Sequence, residues 1–258
     1  PVDTEAFNDA IFAPLLGWVA EHRLDALVSA DGDGDRPLLM DAQGNFVRGD
    51  VLGLLTAQFL SAAMVVTPVT SNSAIERTGF FRAVLRTRVG SPFVVAAMAG
   101  HENVVGFEAN GGTFVGGGVT VGGHPLPPLP TRDAVLPLLC VLALAAQEGV
   151  GVAEVVSRLP LQYAVADRLQ NVPPDKSNAL LRRLEDDPDF AAALLATEHI
   201  ANLSTTDGVQ FWFTSGEMVH FRASGNAPEL RCYIEAGSPE RAQHLLDWAM
   251  EMAARAVA

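Results

Sequence analysis

Between residues 50 and 107, short apolar runs rich in β-branched residues alternate with helix-length segments, and that alternation constrains this chain more than any other feature. The pattern predicts a helix over 50–62, a strand at Met64-Val65-Val66, a helix around Ser73 to Arg77 and a strand at Ala83-Val84-Leu85. A helix near Pro92 to Met98 and a strand at Val104-Val105-Gly106-Phe107 follow. A strand that returns to the sheet through a helix lies parallel to its predecessor. The segment therefore reads as α/β, a mixed, mostly parallel sheet layered with helices.

The flanks read differently. Asp3 or Thr4 is placed to cap a first helix, with Val2 as its staple residue, and that helix runs to about His22. Ala26 to Ala30 reads as a short buried strand, and Pro37 to Met40 and Asn45 to Arg48 as a hairpin around Asp41-Ala42-Gln43-Gly44. The glycine-rich 111–123 and proline-rich 124–130 form a long loop or ribbon, followed by helices near 133–147 and 152–159. Past Pro160 the order changes to strand-like 162–165, helical 177–184 and 189–195, then strands near 210–213, 218–221 and 230–235. This grouping predicts a smaller α+β domain. Ser238 caps a final helix with Pro239 in its first turn and Ala242, Leu245, Leu246 and Ala249 on one face.

Composition excludes several function classes. With 49% hydrophobic and 18% charged residues, the 258-residue chain can bury a large core and is no disordered or disulfide scaffold. Its net charge of −13 opposes nucleic-acid and anionic-membrane surfaces, which need clustered positive charge. The longest apolar run, 134–146, is too short to span a bilayer. Cys140 and Cys232 lack metal-type spacing and read as buried thiols of a cytoplasmic protein. No G-x-S-x-G or H-E-x-x-H motif occurs, and the six histidines show no ligand spacing.

Three loops carry chemistry. Asp31, Asp33 and Asp35 alternate with glycine directly after a strand, so three carboxylates converge where the backbone can turn sharply. That donor set suits a hard cation, with Mg²⁺ completing its shell from water and a phosphate, and Arg36 lies beside it. An EF-hand is excluded, because its sixth and twelfth positions hold Arg36 and Ala42. In Gly106-Phe107-Glu108-Ala109-Asn110-Gly111-Gly112, Glu108 and Asn110 could accept and donate hydrogen bonds to vicinal hydroxyls, although the loop taken alone fits an ordinary glycine turn better. In Arg222-Ala223-Ser224-Gly225-Asn226-Ala227-Pro228, an arginine, a hydroxyl, an amide and a flexible backbone suit a phosphate, and an incidental hairpin connection fits equally.

In this order and separation, DGDGDR, GFEANGG and RASGNAP together resemble the phosphomannomutase and phosphoglucomutase members of the α-D-phosphohexomutase superfamily. The resemblance implies that Asp31, Asp33 and Asp35 bind Mg²⁺, that Arg36 lies against the enzyme's phosphoserine, and that Glu108 and Asn110 hold sugar hydroxyls. It likewise implies that Arg222, Ser224, Gly225 and Asn226 grip the non-reacting phosphate. The implied reaction interconverts hexose 1-phosphate and 6-phosphate through a hexose 1,6-bisphosphate that reorients between two phosphoryl transfers. The sequence departs from the family where relatives have Ser, His and Thr at the positions of Asn110, Gly112 and Asn226. Relatives also carry Lys and His near the positions of Thr70 and Ser91, a lack for which Arg86 or Arg88 could compensate.

The family's nucleophilic serine sits in a T-A-S-H-N-P-like loop, which these 258 residues do not contain. The expectation is therefore a C-terminal portion: residues 1–48 as a remnant of domain 2 with the metal loop, 49–160 as domain 3 and 161–258 as domain 4. Its partners would be a hexose phosphate and the missing N-terminal domains of the same enzyme. Alone it should be inactive and should self-associate, or be locally disordered, at 1–48. A non-enzymatic sugar-phosphate or Mg²⁺-binding module, or one half of a naturally split mutase, is the alternative.

Overall fold

A computed structural model describes residues 9–195, 199–225 and 227–257. The expected cap residues Asp3 and Thr4, the staple Val2, and the candidate ligand Asn226 lie outside the described residues. The chain forms two compact units, Pro1–Pro160 and Leu161–Ala258.

The first unit opens with helix α1 (Asp9–His22) and three antiparallel strands in order β1 (Ala26–Ala30), β2 (Pro37–Asp41), β3 (Phe46–Val47). The β2–β3 turn is held by one carboxylate: Asp41 Oδ1 accepts from the backbone N–H of Gln43 and of Asn45, each at 2.9 Å. Strand β2 is buried throughout, whereas β1 is a sheet edge among the described residues, with Val28 and nearby Trp18 about half exposed.

The alternating segment follows as α2 (Gly49–Phe59), β4 (Met64–Pro68), α3 (Ala74–Arg77), β5 (Ala83–Thr87), α4 (Ser91–Met98) and β6 (Val104–Phe107). After it come β7 (Thr113–Val115), β8 (Thr120–Val121), β9 (His124–Pro125), β10 (Leu129–Asp133), α5 (Val135–Glu148) and α6 (Val152–Ser157). Sheet order is β10-β7-β6-β4-β5, with β4 parallel to β5 and β6, and β7 and β10 antiparallel. The glycine-rich ribbon thus supplies the antiparallel half of a mixed sheet. Its remainder, β8 and β9, pairs only with itself.

Glycines set how closely the helices approach β6. A Cβ on Gly53 of α2 would collide with the Phe107 ring, and one on Gly106 would collide with Met98 and Val94 of α4. Strand β6 is therefore clamped between α2 on one face and α4 on the other. Apolar clusters around Leu54, Val105 and Phe107, and around Val66, Val94 and Phe114, fill the two interfaces. This α/β/α clamp fixes where the chain leaves β6, which is where Glu108 begins its loop.

The second unit comprises β11 (Tyr163–Gln170), α7 (Pro174–Asp186), α8 (Pro188–Leu194), β12 (Ile200–Ser204), β13 (Val209–Phe213), β14 (Met218–Ala223), β15 (Glu229–Ala236) and α9 (Pro239–Val257). Its sheet, β11-β15-β14-β13-β12, is antiparallel throughout. Phe211, Phe221, Cys232 and Ile234 meet Leu184, Leu245 and Ala249 from the helices in one core. Ser238 caps α9 as expected, its Oγ accepting from Arg241 N at 3.2 Å. Strand β12 is absent from the sequence reading because Ile200-Ala201-Asn202-Leu203-Ser204 is a mostly exposed edge without alternating burial. Such a strand is held by pairing with β13 rather than by a hydrophobic pattern.

Candidate functional site

The loop joining β1 to β2 folds around Asp31. Its Oδ1 accepts from the backbone N–H groups of Asp35 and Arg36, each at 3.1 Å, while Asp31 N donates to Arg36 O at 3.2 Å. Gly34 takes φ +74°, a conformation that returns the chain toward Asp31. Asp31, Asp33 and Asp35 consequently present carboxylate oxygens within 4.8 Å of one another. Burial pushes the Asp31 carboxyl upward, but the N–H groups of Arg36 and Asp35 outweigh it and hold the pKa below the usual range. Asp35 moves the other way: burial, aided by the charges of Asp31 and Asp33, raises it despite the opposing Arg132.

The donor set fits a hard divalent cation. Oδ1 of Asp35 is buried with no hydrogen-bond partner, and the three carboxylates converge as oxygen donors of the kind such a cation takes. Arg36 lies against this cluster, with Nε 3.5 Å from Asp31 Oδ2 and 3.8 Å from Asp35 Oδ1.

The Glu108 loop is a tight turn: Gly111 N donates to Glu108 O at 2.9 Å and Glu108 N to Gly112 O at 3.0 Å. Gly111, at φ +91°, lies where a Cβ would strike Pro37 and Gly49. The turn is thereby seated against both the start of β2 and the start of α2. Asn110 does not project freely, since its Oδ1 accepts from Gly112 N at 3.1 Å. Glu108 is buried, and its Oε2 accepts from Ser91 Oγ at 2.9 Å and Arg132 Nη1 at 3.2 Å.

Arg132 is the residue that the sequence reading missed. On β10, its other nitrogen, Nη2, makes a close ion pair with Asp35 Oδ2, so one guanidinium joins the acidic loop to the Glu108 loop. The stem reaches there because residue 112 is glycine; a Cβ at Gly112 would meet Arg132 Cδ and the Asp35 backbone. Its only sequence signal was an arginine in a proline-rich loop, indistinguishable from the chain's other arginines.

Arg86 and Arg88, the two candidate arginines near the Thr70 and Ser91 positions, have different surroundings. The Arg86 guanidinium donates to the carbonyls of Pro68, Ser71 and Asn72 and pairs with Glu76, bracing the turn after β4. Arg88 instead lies over the Phe93 ring, 5.1 Å from its centroid.

In the second unit, the 224–228 segment connects β14 to β15, closed by Ser224 N donating to Glu229 O at 2.9 Å, with Gly225 exposed at its tip. Arg222 Nε donates to Asp207 Oδ2 at 2.7 Å, both side chains being largely buried. Arg231 stands directly across from Arg222, and Arg168 across from Arg231, so three arginines lie abreast on neighbouring strands. Asp207 and Glu229 offset a like-charge row that would otherwise be destabilising. Below it, His220 is fully buried, Nε2 donating to Asp207 O at 2.6 Å, and stacks on Tyr233 at 5.4 Å.

Fold and site together define the class: an α/β/α sheet protein presenting a three-aspartate loop beside a buried, arginine-linked glutamate, and carrying an arginine-lined hairpin in its second unit. Residues 48–163 match the family model for phosphoglucomutase/phosphomannomutase, alpha/beta/alpha domain III. A phosphomannomutase of Sinorhizobium fredii is 44% identical over 252 residues, covering 95% of this chain and 53% of that protein. The chain belongs to the phosphoglucomutase/phosphomannomutase family. It is similar in fold to a phosphoglucomutase/phosphomannomutase family protein from Burkholderia thailandensis, with TM-score 0.75 and 17% identity over 96% of this chain and 50% of that one. It is likewise similar to Aspergillus fumigatus N-acetylphosphoglucosamine mutase in complex with GlcNAc-6P and magnesium, with TM-score 0.64 and 18% identity over 93% and 52%. The chain thus spans about half the length of the relatives it matches.

Proposed function

We propose that these residues form the metal-, sugar- and phosphate-binding portion of a cytoplasmic phosphomannomutase/phosphoglucomutase that interconverts hexose 1-phosphate and 6-phosphate. In this assignment 1–48 belong to domain 2, 49–160 form domain 3 and 161–258 form domain 4. The observation that carries the reading is the convergence of Asp31, Asp33 and Asp35 beside Glu108, the two loops sharing Arg132. The relatives' names and the magnesium and sugar-phosphate complex of the Aspergillus mutase support it.

Asp31, Asp33 and Asp35 would hold Mg²⁺, which neutralises negative charge on the transferring phosphoryl group. Arg36 would meet the phosphoserine supplied by a segment outside these 258 residues. Glu108, kept in place by Ser91 and Arg132, accepts hydrogen bonds from two sugar hydroxyls, an interaction available to either orientation of the bisphosphate. Asn110, turned back on its own loop by the Gly112 N–H, contributes a second polar side chain beside Glu108. Arg222, Ser224, Gly225 and Asn226 grip the idle phosphate, and Arg231 adds a second guanidinium from the adjacent strand. Hexose 1,6-bisphosphate is the intermediate of the full enzyme.

Calorimetric titration of the chain with mannose 1-phosphate and glucose 1-phosphate, with and without Mg²⁺, tests the assignment. Glu108→Gln is expected to weaken binding at least about tenfold, since a buried acceptor for sugar hydroxyls is replaced by a group that must also donate. Wild-type affinity in that variant, or no sugar-phosphate binding by the wild-type chain, would overturn it.

A further inference from the structure

Arg132 touches a carboxylate in each of two loops with different proposed ligands, and its charge cannot be neutral toward either. Asp35 offers Oδ2 to Arg132, while its Oδ1 is buried without a hydrogen-bond partner. Glu108 already receives Ser91 on the same oxygen that Arg132 reaches at 3.2 Å. The Arg132 side chain is about one-quarter exposed, and its stem is threaded past Gly112, where a Cβ would collide with it. Arginine cannot lose its proton here, so its charge is permanent. A divalent cation among Asp31, Asp33 and Asp35 would compete with it for the Asp35 carboxylate and repel it at short range.

We propose that Arg132 is a displaceable counter-ion: it neutralises Asp35 when no cation is bound, and cation binding releases its Nη2 from Asp35 while Nη1 stays with Glu108, freeing the released nitrogen for the sugar. Arg132 is in this sense a positioning residue that couples metal loading to sugar-phosphate binding. The inference rests on the assignment of Asp31, Asp33 and Asp35 as metal ligands. It differs from a purely structural role in sign. A brace that shaped the metal loop would, when removed, weaken metal binding; a competing counter-ion would, when removed, strengthen it.

The test is Mn²⁺ titration of the full 258-residue chain at fixed ionic strength, read by calorimetry and by the electron paramagnetic resonance signal of free Mn²⁺. Arg132→Gln is expected to bind Mn²⁺ about tenfold more tightly than wild type. Arg132→Lys, which keeps a charge, should stay much nearer to wild type. In Arg132→Gln the enhancement of mannose 1-phosphate affinity by saturating Mn²⁺ should also disappear. Unchanged or weakened Mn²⁺ affinity in a variant with wild-type circular dichroism would overturn the proposal. Asp33→Asn separates the two failures, because it lies away from Arg132 in the contacts described yet should abolish Mn²⁺ binding. If Asp33→Asn binds Mn²⁺ like wild type, the metal assignment falls and the counter-ion role falls with it. If Asp33→Asn abolishes binding and Arg132→Gln fails to strengthen it, the counter-ion role alone is wrong.

Discussion

His220 shows how a single side chain carries both stability and pH response in the second unit. Burial holds its pKa down at about 4, well below the 6.5 of an exposed imidazole, despite the hydrogen bond to Asp207. Nε2 carries the proton donated to Asp207 O, which leaves Nδ1 bare and without a hydrogen-bond partner, so protonation there puts an unsatisfied charge in the core. Between about 4 and 6.5 the unfolded chain binds the proton that the folded one refuses. The stability contribution is therefore complete above pH 6.5 and is lost as pH falls toward 4. We expect the unfolding free energy to drop by about 1 kcal/mol per pH unit below pH 6 from this residue. Urea titrations of wild type and His220→Gln at pH 7.5 and 5.5 check it; an equal pH dependence in both would contradict the assignment. The two cysteines are quieter: burial pushes Cys140 up to about 12 and Cys232 further still, so both remain inert core thiols.

At the scale of elements, close approach explains the geometry around β6. Gly53 lets α2 lie against the Phe107 ring, and Phe107 immediately precedes Glu108. Gly53→Ala should therefore cost about 1–3 kcal/mol through overpacking and should also displace the Glu108 turn. Chemical denaturation measures the first effect and sugar-phosphate titration the second; a variant as stable as wild type would show that α2 has room to shift. Strand β1 supplies the second element-level prediction. It is an edge with Val28 and Trp18 half exposed beside it, and exposed apolar edges pair with other chains. Sedimentation velocity should show concentration-dependent association that Val28→Lys suppresses. A monomer at every concentration would rule it out.

For the whole molecule, each unit has its own core, the first around Leu54, Val66 and Phe107 and the second around Phe211, Phe221 and Ile234. The proposed chemistry still needs a group that neither supplies, because no T-A-S-H-N-P-like loop occurs in the 258 residues. The chain alone is expected to show no interconversion of mannose 1-phosphate and mannose 6-phosphate. Addition of a separately produced segment carrying a phosphoserine loop of this family should restore turnover, measurable by a coupled assay. Robust turnover by the chain alone would refute the missing-nucleophile reading and leave a complete enzyme.

Much of this architecture is legible along the chain because it is local. The βα alternation of 50–107, the Ser238 cap and the aspartate–glycine repeat each depend on neighbours within a few residues, and all three appear in the structure at the expected places. Hydrophobic periodicity and turn chemistry are short-range properties, so sequence alone determined them, together with the candidate ligands on their loops. The tertiary structure decided what long-range pairing decides. It turned the ribbon into two antiparallel strands of the sheet and a separate β8–β9 pair, made Arg86 a brace for the turn after β4, and set Arg231 across from Arg222. Above all it brought Arg132 between Asp35 and Glu108, residues 97 and 24 positions away in the chain. Such a contact depends on the register of β10 and on the empty space at Gly112, and neither leaves a periodic trace in the order of the residues.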